Sequence, residues 1–502
     1  MNRNLNAIFN SILKLCVFAS LRELILFGCF LLITYRLEAQ LVPHLTLEGH
    51  WNGRGSQLGV YSYNSLWGWS ANGREYAILG SVDTIYFFDI TNPKQPKLCD
   101  AKAGRYNNAI NREFKTYKNY CYAVADQGSP SSMQIFDLKY LPDSVHKVYD
   151  TDTLCTQAHN LYIDDDRLYL AWNKKSIKNH LNEYPLTVVS LKNPEAPTFI
   201  SNLASPYFTV NGQKRYFFEI VHDLFVRNDT AYCSCGNDGL YIFDYKDPLN
   251  PKWIGYYIAG NGDGEYNHSN WLSPDGNILS NTCENNGVPV KLFDVSQLKD
   301  TGMVNNPLEL QTLSTFGSNV SLGSTGHNSF IKGNLVYMSY YQDGVVVFDK
   351  SDPNNVKEIA SYDTYPQNGR GNYSPWAGCW NVYPFFASGS IIASDMTNGL
   401  FVLKMDSVSA IDSRDIYDNQ LNIKILENPF HDHIDLNVNS EINQELSINI
   451  YDLLGKSLFA NNYQCAEGKS TISIPWYSYP TGSILLSITS TTAVYSRKLI
   501  KE

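Results

Sequence analysis

The sequence predicts an all-β chain: a seven-bladed β-propeller followed by a small Ig-like β-sandwich. Three observations carry that prediction. An apolar strand ending in a polar residue, usually Asp, recurs at one period, and dipeptides of Asn, Asp and Gly punctuate most repeats. Composition favours strands: aromatics make up 13 %, tyrosine alone numbers 35, and the apolar runs are short and rich in Val, Ile, Tyr and Phe. At 502 residues the chain is also too long for one ordinary core, so a repeat array or a second domain is expected.

The elements follow in chain order. Residues 1–40 read as a signal peptide, with basic residues scattered through Met1 to Arg22 and a mainly apolar run of a dozen from Leu24 to Tyr35. That run is too short to span a bilayer, which takes about 20 apolar residues, and nothing after it resembles a transmembrane helix. Residues 41–405 hold the repeat. Its signature appears as "IYFFDITNPKQP", "MQIFDLKYLP", "TVVSLKNPEAP", "LYIFDYKDPLNP", "VKLFDVSQL", "VVVFDKSDPNN" and "LFVLKM". The aligned positions are Asp89, Asp137, Ser190, Asp244, Asp294, Asp349 and Lys404, so successive separations are 48, 53, 54, 50, 55 and 55 residues. Each period divides into a first strand, a tight turn, a second strand such as "RLYLAW", the signature strand, and a Pro-led fourth strand such as "PTFISNLA". The turns near Gly73, Asn119, Asp165, Asp229, Gly276, Asn334 and Gly389 use residues that tolerate positive φ and close hairpins.

Four antiparallel strands per unit of roughly 50 residues is the blade of a propeller. The last unit lacks a fourth strand, because "DSVSAIDSRD" reads as polar linker, residues 406–420. Before the first unit, "VPHLTLEGHW" from Val42 to Trp51 looks like an orphan copy of that missing strand. Pairing the two closes the ring and removes two sheet edges. Residues 421–502 then read as the small sandwich.

Symmetry makes the first strands innermost, and four consecutive ones open on a histidine: His159-Asn160, His222-Asp223, His268-Ser269 and His327-Asn328. The repeat therefore brings these imidazoles toward one end of the axis. Three readings stay open. Each histidine bonds the backbone of a neighbouring blade, or the ring holds a metal, or it works as acid–base catalyst. Imidazole is the commonest ligand for divalent transition metals, so His159, His222, His268 and His327 with Glu113 form the candidate metal set, and Asp223 and Glu284 are further oxygen donors. No other cofactor is indicated. The aromatics Trp67, Trp69, Trp376, Trp380, Tyr340 and Tyr341 at blade starts or beside second strands are candidate ligand-binding residues for an extracellular glycan or peptide, although most propeller aromatics fill the space between blades.

Other chemistry is not signalled. Net charge is −10 without a basic cluster, which argues against nucleic-acid binding. No G-x-S-x-G, H-E-x-x-H, Walker loop or dinucleotide fingerprint occurs, and no C-x-x-C. Of ten cysteines, Cys16 and Cys29 lie in the leader. Cys233 and Cys235 share one strand face, too close along the chain for a relaxed disulfide, and buried free thiols are the reading for most of the rest.

Two resemblances add to this. The "DITNP" signature resembles LVIVD repeats. The ordered series "REFKTYKNYCYAVADQ", "AHNLYID", "VHDLFV", "NHSNWLSPDG", "GHNSFIKGNLVYMSYYQDGVVVFD" and "NVYPFFASGSIIASDMTNGLFVL" is similar to choice-of-anchor B family proteins over about residues 45 to 404, with Asn111 where that family carries a tryptophan. That resemblance implies an exported propeller and carries over no catalytic residue. The tail segments "NIKILENPFHDHIDLNV", "LSINIYDLLGKSLF" and "YSRKLIKE" resemble the C-terminal sorting domain of type IX secretion, with Asn428, Pro429 and Phe430, Tyr451 to Lys456, and Lys498 to Lys501 as the matching residues. It implies the type IX machinery as partner and a product secreted by, or held on the outer surface of, a Gram-negative bacterium. The expected function is an exported or cell-surface binding scaffold. The alternative is a metal-dependent extracellular hydrolase with a His-lined site, so whether the chain is an enzyme stays open.

Overall fold

The computed structural model describes residues 45–405 and 421–501, apart from 57–60, 129, 179, 259–264, 300–305, 321–322, 369–376, 441, 452–456, 478–480 and 491–493. The expected signal peptide and linker, and the candidate Trp376, lie outside the described residues. Among the described residues the structure is all-β, with two short 3-10 turns, Ser296–Lys299 and Pro366–Asn368, and no α-helix. No helix of the described chain is long and apolar enough to cross a membrane. His44–Asp406 forms one compact unit, and the tail strands belong to another.

Within the first unit each of the first six periods contributes a sheet with four antiparallel strands in chain order. In the first sheet these are Tyr63–Ala71, Arg74–Ser81, Thr84–Asp89 and Lys97–Ala103. The hairpin turns between first and second strands do put residues in the left-handed region: Asn72 at φ 52°, Lys118 at 54°, Asp165 at 51° and Asn228 at 50°. The recurrent acid has a visible job. The backbone N–H two residues on donates to Asp89 (2.9 Å), Asp137 (3.0 Å), Asp244 (2.8 Å), Asp294 (2.9 Å) and Asp349 (2.8 Å). In the "NP" or "DP" units a second such turn follows on Asn92, Asn193, Asp247 and Asp352. Side-chain oxygens thus take over the donors that pairing releases where the chain reverses into the fourth strand.

Every sheet also carries a bulge at one equivalent place. Phe87 pairs with Asp100 but Phe88 with Leu98, which leaves Cys99 as the extra residue. The same step skips Val148, Ile200, Ile254, Leu313 and Ile359 in the next five sheets. The seventh sheet takes its fourth strand from the other end of the unit: Leu45–Trp51 pairs with Gly399–Met405, from Leu45 opposite Met405 to Trp51 opposite Leu400. Glu48 is its bulged residue, so this strand matches the other fourth strands in local geometry as well as in position.

The first strands sit side by side in a cycle. Tyr63–Ala71 packs on Arg112–Tyr117, which packs on Asn160–Asp164, and the series runs on through Asp223–Arg227, Asn267–Leu272 and Ser329–Lys332. It reaches Cys379–Tyr383 through Leu335–Ser339 and returns to Tyr63–Ala71. Apolar clusters fill the spaces between successive sheets, such as Tyr76, Phe87, Phe114 and Phe136 between the first two. Two departures from the repeat were not expected. A hairpin, Tyr207–Val210 with Gln213–Tyr216, stands between the third and fourth sheets, and Leu308–Glu309 adds a short parallel strand to the fourth.

The tail forms a three-stranded and a four-stranded sheet around one apolar core. In His433–Ser440 every second residue is buried, giving Ile434, Leu436 and Val438 to that core, and Ile472, Ile474, Leu446, Ile448 and Ile450 come from strands with the same alternation.

Candidate functional site

The histidines that open the first strands do meet. Ring centroids lie 4.0 Å apart for His159 and His222, 4.6 Å for His222 and His268, and 4.3 Å for His268 and His327. These residues are between 46 and 63 apart in sequence, so only the sheet repeat brings them together. The series then continues as aromatics, with Tyr341 at 4.7 Å and Trp380 at 5.1 Å from His327. Tyr266 closes over His222 at 5.0 Å.

Hydrogen bonds fix most of the ring. The His159 Nδ1 is 2.7 Å from Asp126 Oδ2, and the Asn111 amide donates to the His159 carbonyl at 2.9 Å. His327 Nδ1 lies 2.5 Å from the Trp380 carbonyl, one sheet further round. In both, anchoring Nδ1 leaves Nε2 for the axis. Glu284 follows the second strand of the fifth sheet and supplies the carboxylate that faces His268 and His327. Its Oε2 is 3.6 Å from His268 Nε2, its Oε1 3.8 Å from His327 Nε2, and Tyr341 OH donates to Oε1 at 2.5 Å. The ligand atoms of His222, His268 and Glu284 all lie within 4.8 Å of one another. Asp126 Oδ1 is buried here without a hydrogen-bond partner, while the His222 ring meets the His268 backbone and the His268 ring meets the His327 backbone.

Electrostatics follow from enclosure. Burial pushes His327 down to about 3. Burial and the neighbouring imidazoles push His222 and His268 well below the ordinary histidine value, against a smaller opposing backbone hydrogen bond on each. These three rings are neutral at neutral pH, with lone pairs available. Burial also works to lower His159, but the Asp126 hydrogen bond and nearby carboxylates prevail and raise it. Burial raises Glu284 to about 7, with Tyr341 and His159 pulling the other way.

Further along the same strands lies a cavity of about 20 Å³, room for roughly one water, bordered by Glu113, Lys115, Asn160, Asp223, Asn328 and Asn381. Glu113 belongs to this layer: Ser65 donates to its Oε2 at 2.7 Å and the Trp380 indole to its Oε1 at 3.3 Å. It makes no ion pair with the histidines, whereas Glu284 faces His268 and His327 and Asp126 pairs with His159. Burial raises Asp223 to about 7, with Lys115 opposing.

The six candidate aromatics do not form one platform. Trp380 and Tyr341 are at the ring but buried. Tyr340, next in sequence to Tyr341, points instead into the apolar cluster with Met338 and Phe348. Trp67 sits deeper, with Tyr383 at 5.0 Å and the Lys115 ammonium at 4.2 Å over its ring, and Trp69 packs on Tyr76. Trp376 lies outside the described residues. Asp126 and Tyr266 escaped sequence reasoning, because nothing in their local sequence marks them. Both come from loops flanking the strands, and only the closed cycle turns them inward. The eight cysteines of the described residues are all unpaired, and seven are buried, Cys233 and Cys235 in the same core cluster.

Comparison with known proteins places the tail. Residues 424–502 match the family model described as a secretion system C-terminal sorting domain. No curated protein matches the chain. Among solved structures it is similar to U3-55K, at 10 % identity and TM-score 0.44 over 72 % of this chain and 98 % of that one. It is similar also to the N-terminal domain of Nup159, at 9 % and 0.44 over 73 % and 96 %, and to the C-terminal WD40 domain of Sif2, at 12 % and 0.40 over 69 % and 82 %. The fold and the tail together define an exported all-β protein built from small antiparallel sheets. The sorting domain assigns its handling to the type IX secretion system of Bacteroidetes, so its place of work is extracellular or on the cell surface.

Proposed function

We propose that the chain is an exported binding scaffold, a closed seven-bladed propeller of LVIVD-like repeats related to choice-of-anchor B proteins, and that it takes its ligand at the histidine end of its axis. One observation carries the reading. Four imidazoles and the carboxyls of Glu284 and Asp126 converge on that end from several sheets, and Asp126 Oδ1 is buried there without a partner. Such an atom costs about 1–3 kcal/mol, which a donor on a bound ligand would offset. Ring enclosure selects for a small ligand or for one protruding group of a glycan or peptide, since His268, His327 and Glu284 are each exposed by less than a tenth.

The test is a thermal-shift screen of extracellular glycans, peptides and small ligands. A ligand that raises the melting point of the wild type should fail to raise that of the folded His159→Ala, His222→Ala, His327→Ala variant. An equal shift in both proteins removes the histidine end as the site. The hydrolase alternative draws on Glu284, a carboxyl near 7 beside neutral imidazoles, which is the poise of a general base. Turnover of a bound glycan or peptide that disappears in Glu284→Gln distinguishes it from simple binding.

A further inference from the structure

We propose that His222, His268 and Glu284 hold a divalent transition metal, with His327 as the fourth ligand. The inference rests on the axial end being a ligand site and names what that site takes first. Geometry is the starting point. Ligands about 2.0–2.2 Å from a tetrahedral ion stand roughly 3.4 Å from one another. His268 Nε2 and Glu284 Oε2 are 3.6 Å apart, and His327 Nε2 and Glu284 Oε1 3.8 Å. The group containing His222 spreads to 4.8 Å, so coordination draws that imidazole inward.

The surroundings have the form that metal ligands require. A ligating imidazole usually has its second nitrogen held by a carbonyl or carboxylate, and a ligating carboxylate is held in turn. His327 is held through Nδ1 by the Trp380 carbonyl, and Glu284 by the Tyr341 hydroxyl. The His222 and His268 rings meet the backbone of His268 and His327 in turn, so each imidazole of the set is held from one sheet further round.

The donor types choose the ion. Three imidazole nitrogens and one carboxylate suit Zn²⁺, Cu²⁺ or Ni²⁺, whereas Ca²⁺ and Mg²⁺ ask for oxygen ligands throughout. His159 takes a different role. With Nδ1 engaged by Asp126, its centroid 4.0 Å from that of His222 with the rings tilted, and the most exposed of the four rings, it covers the ion from outside.

The experiment uses the full exported chain without an affinity tag, stripped by chelator and titrated with Zn²⁺ and Cu²⁺ by calorimetry. One equivalent should bind. Glu284→Gln and His268→Gln should each weaken binding by at least about tenfold, while His146→Ala, an exposed histidine on an outer strand, leaves it unchanged. Electron paramagnetic resonance of the Cu²⁺-loaded wild type should show nitrogen superhyperfine coupling from imidazole, a readout that does not depend on the variants folding. Substoichiometric binding, a Cu²⁺ spectrum without nitrogen coupling, or affinity unchanged in both folded ring variants overturns the metal site. If an organic ligand still binds at the ring while no metal does, the metal inference fails and the scaffold stands. If neither binds, both fail.

Discussion

Two buried aspartates show how one residue type is pushed in opposite directions by its neighbours. Asp137 ends a signature strand and accepts from the Lys139 N–H, the Asn119 amide at 2.6 Å and the Lys139 ammonium at 2.9 Å. Burial raises its pKa, but these donors together lower it. Asp395 accepts from Thr364, Thr397 N–H and Asn398 N–H, yet burial outweighs them and raises it to about 7. The linkage signs differ accordingly. The stability Asp137 gives is present above the ordinary 3.8 and is lost as pH falls through its lower folded value. Asp395 behaves oppositely: between 3.8 and about 7 the folded chain keeps a proton that the unfolded chain has released, so stability falls as pH rises through that window. Asp395→Asn removes this slope. Its urea midpoint relative to wild type should climb from pH 4 to pH 7, and a constant difference across that range refutes the assignment. Asp137→Ala, which leaves the turn and Asn119 without an acceptor, should cost about 1–3 kcal/mol at pH 7 in the same assay.

At the scale of strands, much of the architecture was legible and its limits have physical causes. The hairpin turns and Asp-ended strands could be read because nearly all depend on a local residue: a left-handed Asn, Asp or Gly, with Lys118 the exception, or an acid accepting from the backbone two residues on. The orphan strand could be read because a unit without its edge is conspicuous. The bulges left no mark, since the skipped residues range from Cys99 to Ile359 to Glu48, and only pairing singles them out. The Tyr207–Tyr216 hairpin was missed because it has no copy in the other units. For the site, the repeat located the four histidines, but the backbone past the strand ends decided the rest: Tyr341, at φ 37° just after Leu335–Ser339, turns to the ring while Tyr340 turns to the core, and Trp67 lies beyond the ring. The closing strand offers a direct test. A Cβ on Gly49 would stand 2.1 Å from the Pro93 carbonyl and 2.8 Å from Pro96 Cδ, both in the turn of the first sheet. Gly49→Ala should therefore pry the last fourth strand from its neighbour and cost about 1–3 kcal/mol. Amides of Leu45–Trp51 and Gly399–Met405 should exchange faster than those of the other edge pairs, and unchanged exchange there counts against the seam.

At the scale of the whole chain, two cores divide the labour. The sheets of His44–Asp406 hold the histidine ring, and the tail carries the sorting domain with a core of its own, including Ile434, Leu436, Leu446, Ile448, Trp476 and Leu486. A domain of the tail's size, residues 424–502, has a stability of roughly 4–12 kcal/mol. An unpaired carboxylate in its core costs several kcal/mol at least, enough to unfold it. Leu486, fully buried among those side chains, is the place to put one. Leu486→Asp should therefore leave the histidine ring able to take its ligand in purified protein while abolishing export from the producing bacterium, with precursor accumulating in the cell fraction. An exposed tail substitution such as Tyr477→Asp should export normally. Were Leu486→Asp exported as well as wild type, folding of the tail would be irrelevant to its recognition, and the sorting signal would have to be a linear stretch of the same residues.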